Sequence, residues 1–215
     1  MEAGRVTASG LVYLFGEEFA KPAGRFGGET LVYSGQKVNR GDLANRLFEA
    51  AFISLVGAGY LSLGREERKK LLLLTTEVVT IAQEKGGDDL PPSLEKAIMD
   101  ALSGDPKEDR VQAVAERVIG GERADPWKRV VGYVMEQLVE AGCLGREVEK
   151  RRFRPDKVHW SAYEEAIAPL AGEVETLKAS LEAFAGVNPD LHKRLVGEVR
   201  AGIRAQQMEV DVDFD

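Results

Sequence analysis

One phrase occurs twice in this chain, and it constrains the fold more than any other feature. Leu55-Val56-Gly57-Ala58-Gly59-Tyr60-Leu61 returns as Leu138-Val139-Glu140-Ala141-Gly142-Cys143-Leu144, identical at five of seven positions and offset by 83 residues. That offset is far longer than a solenoid period, so it indicates two copies of one supersecondary unit. Each phrase closes a long apolar-periodic stretch and is followed by a charged segment. The physical reading is a helix stopped by glycine that turns at once into a strand. Gly59 and Gly142 stand just past the last helical residue, where a left-handed backbone is cheap only for glycine.

Punctuation elsewhere sets the remaining expectations. Leu11–Phe15 and Thr30–Tyr33 read as short strands, and Asp42 as the N-cap of the helix ending near Ala58. Tyr60–Leu63 reads as a strand, Arg65–Lys70 as a turn, and Leu71–Ile81 as a second strand. Ser93 caps Leu94–Leu102. Asp105-Pro106 opens a helix stopped by Gly120-Gly121, and Asp125-Pro126 opens the one that Gly142 ends. A capping box at Ser161–Glu164 starts a helix that Pro169 kinks and Gly186 stops. Asn188-Pro189 opens the last helix, with Leu191, Leu195, Val199 and Ile203 on one stripe. The expected fold class is mainly α, a helical domain with two helix-plus-β-hairpin, winged-helix-like units in internal repeat. Its parts are an N-terminal segment (1–40), a repeated helix-hairpin core (41–165), C-terminal helices (166–207) and an acidic tail (208–215), all in one compact domain.

Charge and cysteine content narrow the function classes. The net charge is −7, yet Glu209, Asp211, Asp213 and Asp215 supply four negatives in the last seven residues. The remainder neither demands nor excludes an anionic partner. One cysteine excludes an internal disulfide framework and fits a reducing compartment. The start of the chain lacks a secretory pattern. The apolar run Leu47–Leu63 spans 17 residues and contains Glu49, short and charged for a membrane span, so it reads as a buried helix. The expected location is cytoplasmic, with a peripheral membrane position open.

Cations concentrate after each repeated phrase. Arg146–Lys157 holds six positives, among them Arg151, Arg152 and Arg154, against three negatives. A helix followed by a basic hairpin suits nucleic acid or anionic lipid, and equally a solvated hairpin edge. Trp127 opens the second repeat helix beside Lys128 and Arg129. That arrangement fits an anionic surface, or a core tryptophan with solvated neighbours. His159 and His192 are far apart with no paired cysteines, so neither a metal nor any other cofactor is expected. Cys143 has no local base and reads as a core residue. Gly24, Gly27 and Gly28 lack the lysine and hydroxyl of a phosphate-binding loop. No set of titratable residues suggests an enzyme.

From about Leu43 to Tyr163, the order of signals resembles the Golgi phosphoprotein 3-like family. The resemblance rests on Leu138-Val139-Glu140-Ala141-Gly142-Cys143-Leu144, then Glu147, Phe153 and His159-Trp160. The first copy, ending Gly59-Tyr60-Leu61, is similar to the family's earlier helix. The resemblance implies a non-catalytic peripheral protein that recognises a phosphoinositide headgroup and holds the tails of partner proteins. Lys128 falls on one basic position of the family's lipid pocket, but Val131 falls on another, and no tryptophan precedes Trp127. What carries over is a broader anionic-surface or partner-tail role, with Trp127, Lys128, Arg129, Arg151, Arg152 and Arg154 as its candidate residues. The alternative is a tandem winged-helix protein that binds nucleic acid or mediates protein contacts.

Overall fold

An apolar helix organises the fold. A computed structural model of the chain describes residues 5–24, 28–71, 74–120, 126–152 and 156–212, with side chains in all of these except 69–71, 74, 75, 126 and 206–212. Helix α3 (Arg40–Gly57) buries Leu43, Ala44, Leu47, Phe48, Ala50, Ala51, Phe52, Ile53 and Leu55, positions that run around most of its circumference. Such a helix lies inside a globule. It contacts α1 (Ala8–Leu14), α4 (Leu94–Asp100), α6 (Pro126–Glu140), α8 (Ala171–Val187) and α9 (Pro189–Val212). The rings of Phe48 and Phe52 stack within it at 6.3 Å. Its one buried charge, Glu49, is held by Arg46 Nη1 at 2.8 Å and by His192 Nε2 of α9 at 2.6 Å.

Both repeated phrases make the same turn. Gly59 N–H donates to Val56 C=O at 3.0 Å and Tyr60 N–H to Leu55 C=O at 2.9 Å. Gly142 and Cys143 repeat the pair, donating to Val139 and Leu138 at 3.0 and 2.9 Å. These are the two bonds of a Schellman stop, and the glycines carry its left-handed backbone with φ of 71° and 73°. A Cβ at either glycine would meet no atom within 4 Å, so its cost is conformational alone. Gly59→Ala and Gly142→Ala should therefore each lower stability by about 1 kcal/mol in chemical denaturation. Equal midpoints for variant and parent would refute that account.

Each stop opens a hairpin: β3 (Leu61–Leu71) with β4 (Leu74–Gln83), and β5 (Leu144–Glu149) with β6 (Lys157–Ala162). With β1 (Glu29–Thr30) and β2 (Lys37–Val38), these form three separate two-stranded antiparallel sheets among the described residues. The expected fold class is corrected accordingly. The molecule is a mixed helix-and-hairpin fold rather than a mainly α domain of winged-helix repeats. The physical reason lies partly in α3, whose buried circumference leaves no free face to act as a recognition helix. It lies also in the first hairpin, whose strands of 11 and 10 residues are far longer than the short wing expected. Arg65–Lys70 is strand rather than turn, paired as Glu67↔Glu77, Arg68↔Thr76 and Lys69↔Thr75. The segment has no glycine, proline or asparagine to reverse the chain.

Other expectations shift for local reasons. Leu11–Phe15 lies mostly in helix α1, capped by the Thr7 side chain, because its residues bury all round against α3 and α6. Asn39 caps α3 by accepting from Asp42 N–H, while Asp42 itself accepts from Lys21 N–H. Ser93 caps α4 as expected from its position. Helix α5 (Val111–Ile119) begins later than Asp105-Pro106 suggests. Asp109 is buried and gathers Ser103 N–H, Ser103 Oγ, Gly104 N–H and Arg117, folding 103–110 into a tight loop. Ser161 lies in β6, and the next helix, α7 (Glu164–Ile167), is followed by a 3-10 turn through Pro169 into α8. Helix α9 runs to Val212, so most of the expected acidic tail is helical, and residues 213–215 lie outside the described residues. Its stripe Leu191, Leu195, Val199 and Ile203 is buried.

Candidate functional site

The candidate residues fall into two groups at opposite ends of α6. A 15-residue helix is about 22 Å long, which separates Trp127, Lys128 and Arg129 from the β5–β6 hairpin. Trp127 is 7% exposed, and its Nε1–H donates to Glu29 Oε2 at 2.8 Å. The Arg40 guanidinium lies 5.7 Å from the centre of the Trp127 ring, and its Nε is 3.7 Å from the same Glu29 oxygen. Trp127 thus joins the starts of α3 and α6 to β1. Its indole is occupied by the protein itself. Lys128 is exposed, while Arg129 is half-buried and donates to Tyr133 OH at 3.4 Å, one helical turn on.

The hairpin has two unlike faces, set by strand alternation. On one face stand the cross-strand pairs Glu147↔His159 and Glu149↔Lys157. Glu149 receives Arg151 at 3.1 and 3.2 Å and His159 Nε2 at 3.2 Å. The Arg151 guanidinium, with His159 behind it, holds the Glu149 carboxyl below the usual carboxylate range. Arg151 N–H also donates to Asp156 Oδ1, which closes the loop. Arg152 is exposed beside it, and Arg154 lies outside the described residues.

The opposite face is apolar and open to solvent. It carries Leu144↔Ala162, Arg146↔Trp160 and Val148↔Val158. Leu144 is buried at the base, whereas Val148 and Val158 are 46% and 36% exposed near the far end. Arg146 lies 5.8 Å from the centre of the Trp160 ring. Tyr163, just past β6, is 51% exposed and lies on the charged face, over Gly145, where a Cβ would fall 2.5 Å from the tyrosine oxygen. Among the described residues, Val148, Val158 and Tyr163 make up three of the four exposed large hydrophobic side chains; Val187 is the fourth. In the sequence the cations of this segment stand out by composition and the two valines do not. The signal was there: alternation through 144–149 and 157–162 aligns them on one face.

The remaining candidates are structural. Cys143 is buried, and desolvation pushes its thiol up. His159 and His192 are each engaged by a carboxylate, Glu149 and Glu49. Among the described residues there is no group of three or more His, Cys, Asp or Glu that could hold a metal ion. Nor is any helix there long and apolar enough to cross a membrane. The chain matches no family model, no curated protein and no solved structure.

Proposed function

We propose that this is a non-catalytic protein that docks on an anionic membrane surface through its β5–β6 hairpin, a form of the broader anionic-surface role that the resemblance to the Golgi phosphoprotein 3-like family implies. The observation that carries the reading is the exposed Val148–Val158 pair on a hairpin whose end is ringed by Lys150, Arg151, Arg152 and Lys157. An apolar face bordered by cations suits the boundary between headgroups and acyl chains. Each cation near such a surface is worth about 1 kcal/mol, and two buried valines add a comparable amount. The other hairpin has related chemistry in its sequence. Lys69-Lys70 precede four leucines at 71–74, and Leu71 pairs with Leu74 where β3 meets β4.

Vesicle sedimentation tests the reading. The protein should pellet with vesicles containing phosphatidylserine and remain in solution with neutral phosphatidylcholine. Val148→Asp should weaken that binding about tenfold or more, since it places a carboxylate where the surface is negative and the interior apolar. The substituted position is exposed, so stability should change by no more than about 0.5 kcal/mol. Equal pelleting on both vesicle types would overturn the reading. So would a duplex-DNA mobility shift in a protein that ignores vesicles.

A further inference from the structure

The apolar face of the β5–β6 hairpin also carries an unmatched cation. Arg146 stands opposite Trp160 in the register, with Leu144 and Ala162 on the body side of the pair and Val148 and Val158 on the far side. Strand alternation puts all of these on one face. Trp160 is half-buried and packs against the core, whereas Arg146 is exposed, its guanidinium 5.8 Å from the centre of the indole ring. The ring holds the guanidinium in place without supplying an acceptor for its N–H groups. Those donors make no hydrogen bond and no ion pair among the described residues, and the Trp160 indole N–H makes none either. Arg151, in the loop, differs, because its guanidinium is spent on Glu149. Arg146 is a fixed fork of donors, open to solvent beside the two uncovered valines.

We propose, resting on the membrane-docking reading above, that Arg146 seated on Trp160 binds the phosphodiester of a membrane phospholipid, so that the hairpin lies along the membrane with this face down instead of entering tip first. Two phosphate oxygens match the guanidinium fork in a bidentate pair that a lysine ammonium cannot make. Arg146 is about 7 Å from Val148 along the strand, so with the valines at the acyl boundary its long side chain reaches back to the phosphates. Tryptophan suits the same depth, with its ring among the headgroups and its N–H toward their acceptors. The charges agree on the orientation. Glu147 and Glu149 stand on the opposite face and, with the apolar face down, point away from an anionic surface. Entry tip first would carry Glu149 down to the level of the valines, where a carboxylate is repelled and desolvated.

Sedimentation and tryptophan fluorescence of the full chain test this together. The chain has two tryptophans and Trp127 is enclosed in the core, so a change on vesicle binding reports Trp160. The protein should bind phosphatidylcholine vesicles equally well whether phosphatidylserine or phosphatidylglycerol supplies the charge, because both carry the phosphodiester. Acyl chains brominated close to the headgroup should quench its emission, and Trp160→Phe should abolish the quenching. Arg146→Lys keeps the charge and loses the fork; it should melt with the parent and bind anionic vesicles about fivefold more weakly. Glycerol 3-phosphate at millimolar concentration and constant ionic strength should not displace the protein. Displacement would assign Arg146 to a free phosphate and overturn the proposal, and a strong preference for one of the two anionic lipids would assign the site to a headgroup and do the same. Parental binding by Arg146→Lys, or binding without quenching, would also overturn it while leaving docking through the valines intact, since Val148→Asp reads that alone. Equal pelleting of the parent on neutral and anionic vesicles would remove the docking reading and this orientation with it.

Discussion

Asp109→Ala should lower the stability of the protein by about 3–5 kcal/mol, among the largest single-residue losses expected in the molecule. The carboxylate is 3% exposed and accepts from Ser103 N–H, Ser103 Oγ, Gly104 N–H and the Arg117 guanidinium. Removing it leaves Ser103 N–H and Gly104 N–H without their acceptor and takes the ion-pair partner from Arg117, which keeps Glu108 C=O and Ala113 C=O. The loop from Ser103 to Arg110 would lose the group around which it closes. The β4 edge is tied to the same loop, because Asp109 C=O, which the substitution keeps, accepts from Ile81 N–H at 2.7 Å. In a chain of this length the melting temperature should fall by roughly 10 °C or more.

The same residue gives a pH signature. Burial pushes the Asp109 carboxyl up, but the hydrogen bonds from Ser103, Arg117 and Gly104 outweigh burial and hold it below the usual carboxylate range. A depressed acid contributes stability that is present above its ordinary value, about 4, and is lost as pH falls through the lower folded value. Glu198 acts in the opposite sense. Desolvation raises its carboxyl above the usual range despite bonds from Val79 and Gln112. Its contribution is present at acid pH and is lost as pH rises through the raised value. Denaturation midpoints measured from pH 7 down to pH 2 should therefore fall most steeply at the acid end. Asp109→Asn should flatten that limb, and a limb unchanged in the variant would remove Asp109 from the account.

Trp127→Ala is expected to cost about 3–5 kcal/mol, as for other buried aromatics truncated in a core. The side chain is nearly fully enclosed and links the start of α6 to Glu29 and Arg40. Trp127→Phe keeps most of the packing and loses the indole N–H···carboxylate bond, so its cost should be nearer 1.5–3 kcal/mol. The pair separates a core role from a surface role. If Trp127 belongs to the core, Trp127→Phe lowers the melting temperature and leaves vesicle binding at its parental strength once the protein is folded. Vesicle binding lost in a Trp127→Phe variant of parental stability would return Trp127 to the docking surface.

Legibility in the sequence followed the range of the interactions. The stops at Gly59 and Gly142 are local. A left-handed backbone and two bonds back to residues three and five before decide them, and glycine is the residue that adopts that backbone cheaply. The cap at Ser93 and the buried stripe of α9 are local or periodic in the same way. Arg65–Lys70 misleads because charge clustering suggests a solvated turn, while an exposed antiparallel ladder accepts charges equally well. Asp105-Pro106 misleads because Asp105 caps a turn rather than a helix, accepting from Lys107 N–H at 2.9 Å, while Asp109, four residues on, gathers Ser103 and Gly104 and closes the loop. The site was half legible. The cations of 146–157 stand out in composition, but Val148 and Val158 form a patch only when the register places them opposite each other.

By itself, then, the sequence determined two helix stops of one design and the strands that follow them, because those features depend on backbone geometry over five or six residues. Only the tertiary structure decided the rest. It buried Trp127 against Glu29, 98 positions away in the chain, and paired Glu49 with His192, 143 positions away. It left Arg110 Nε without an acceptor and Val148 and Val158 without a cover. Whether a polar group is matched or an apolar one enclosed depends on what long-range packing brings beside it, and no local pattern encodes that.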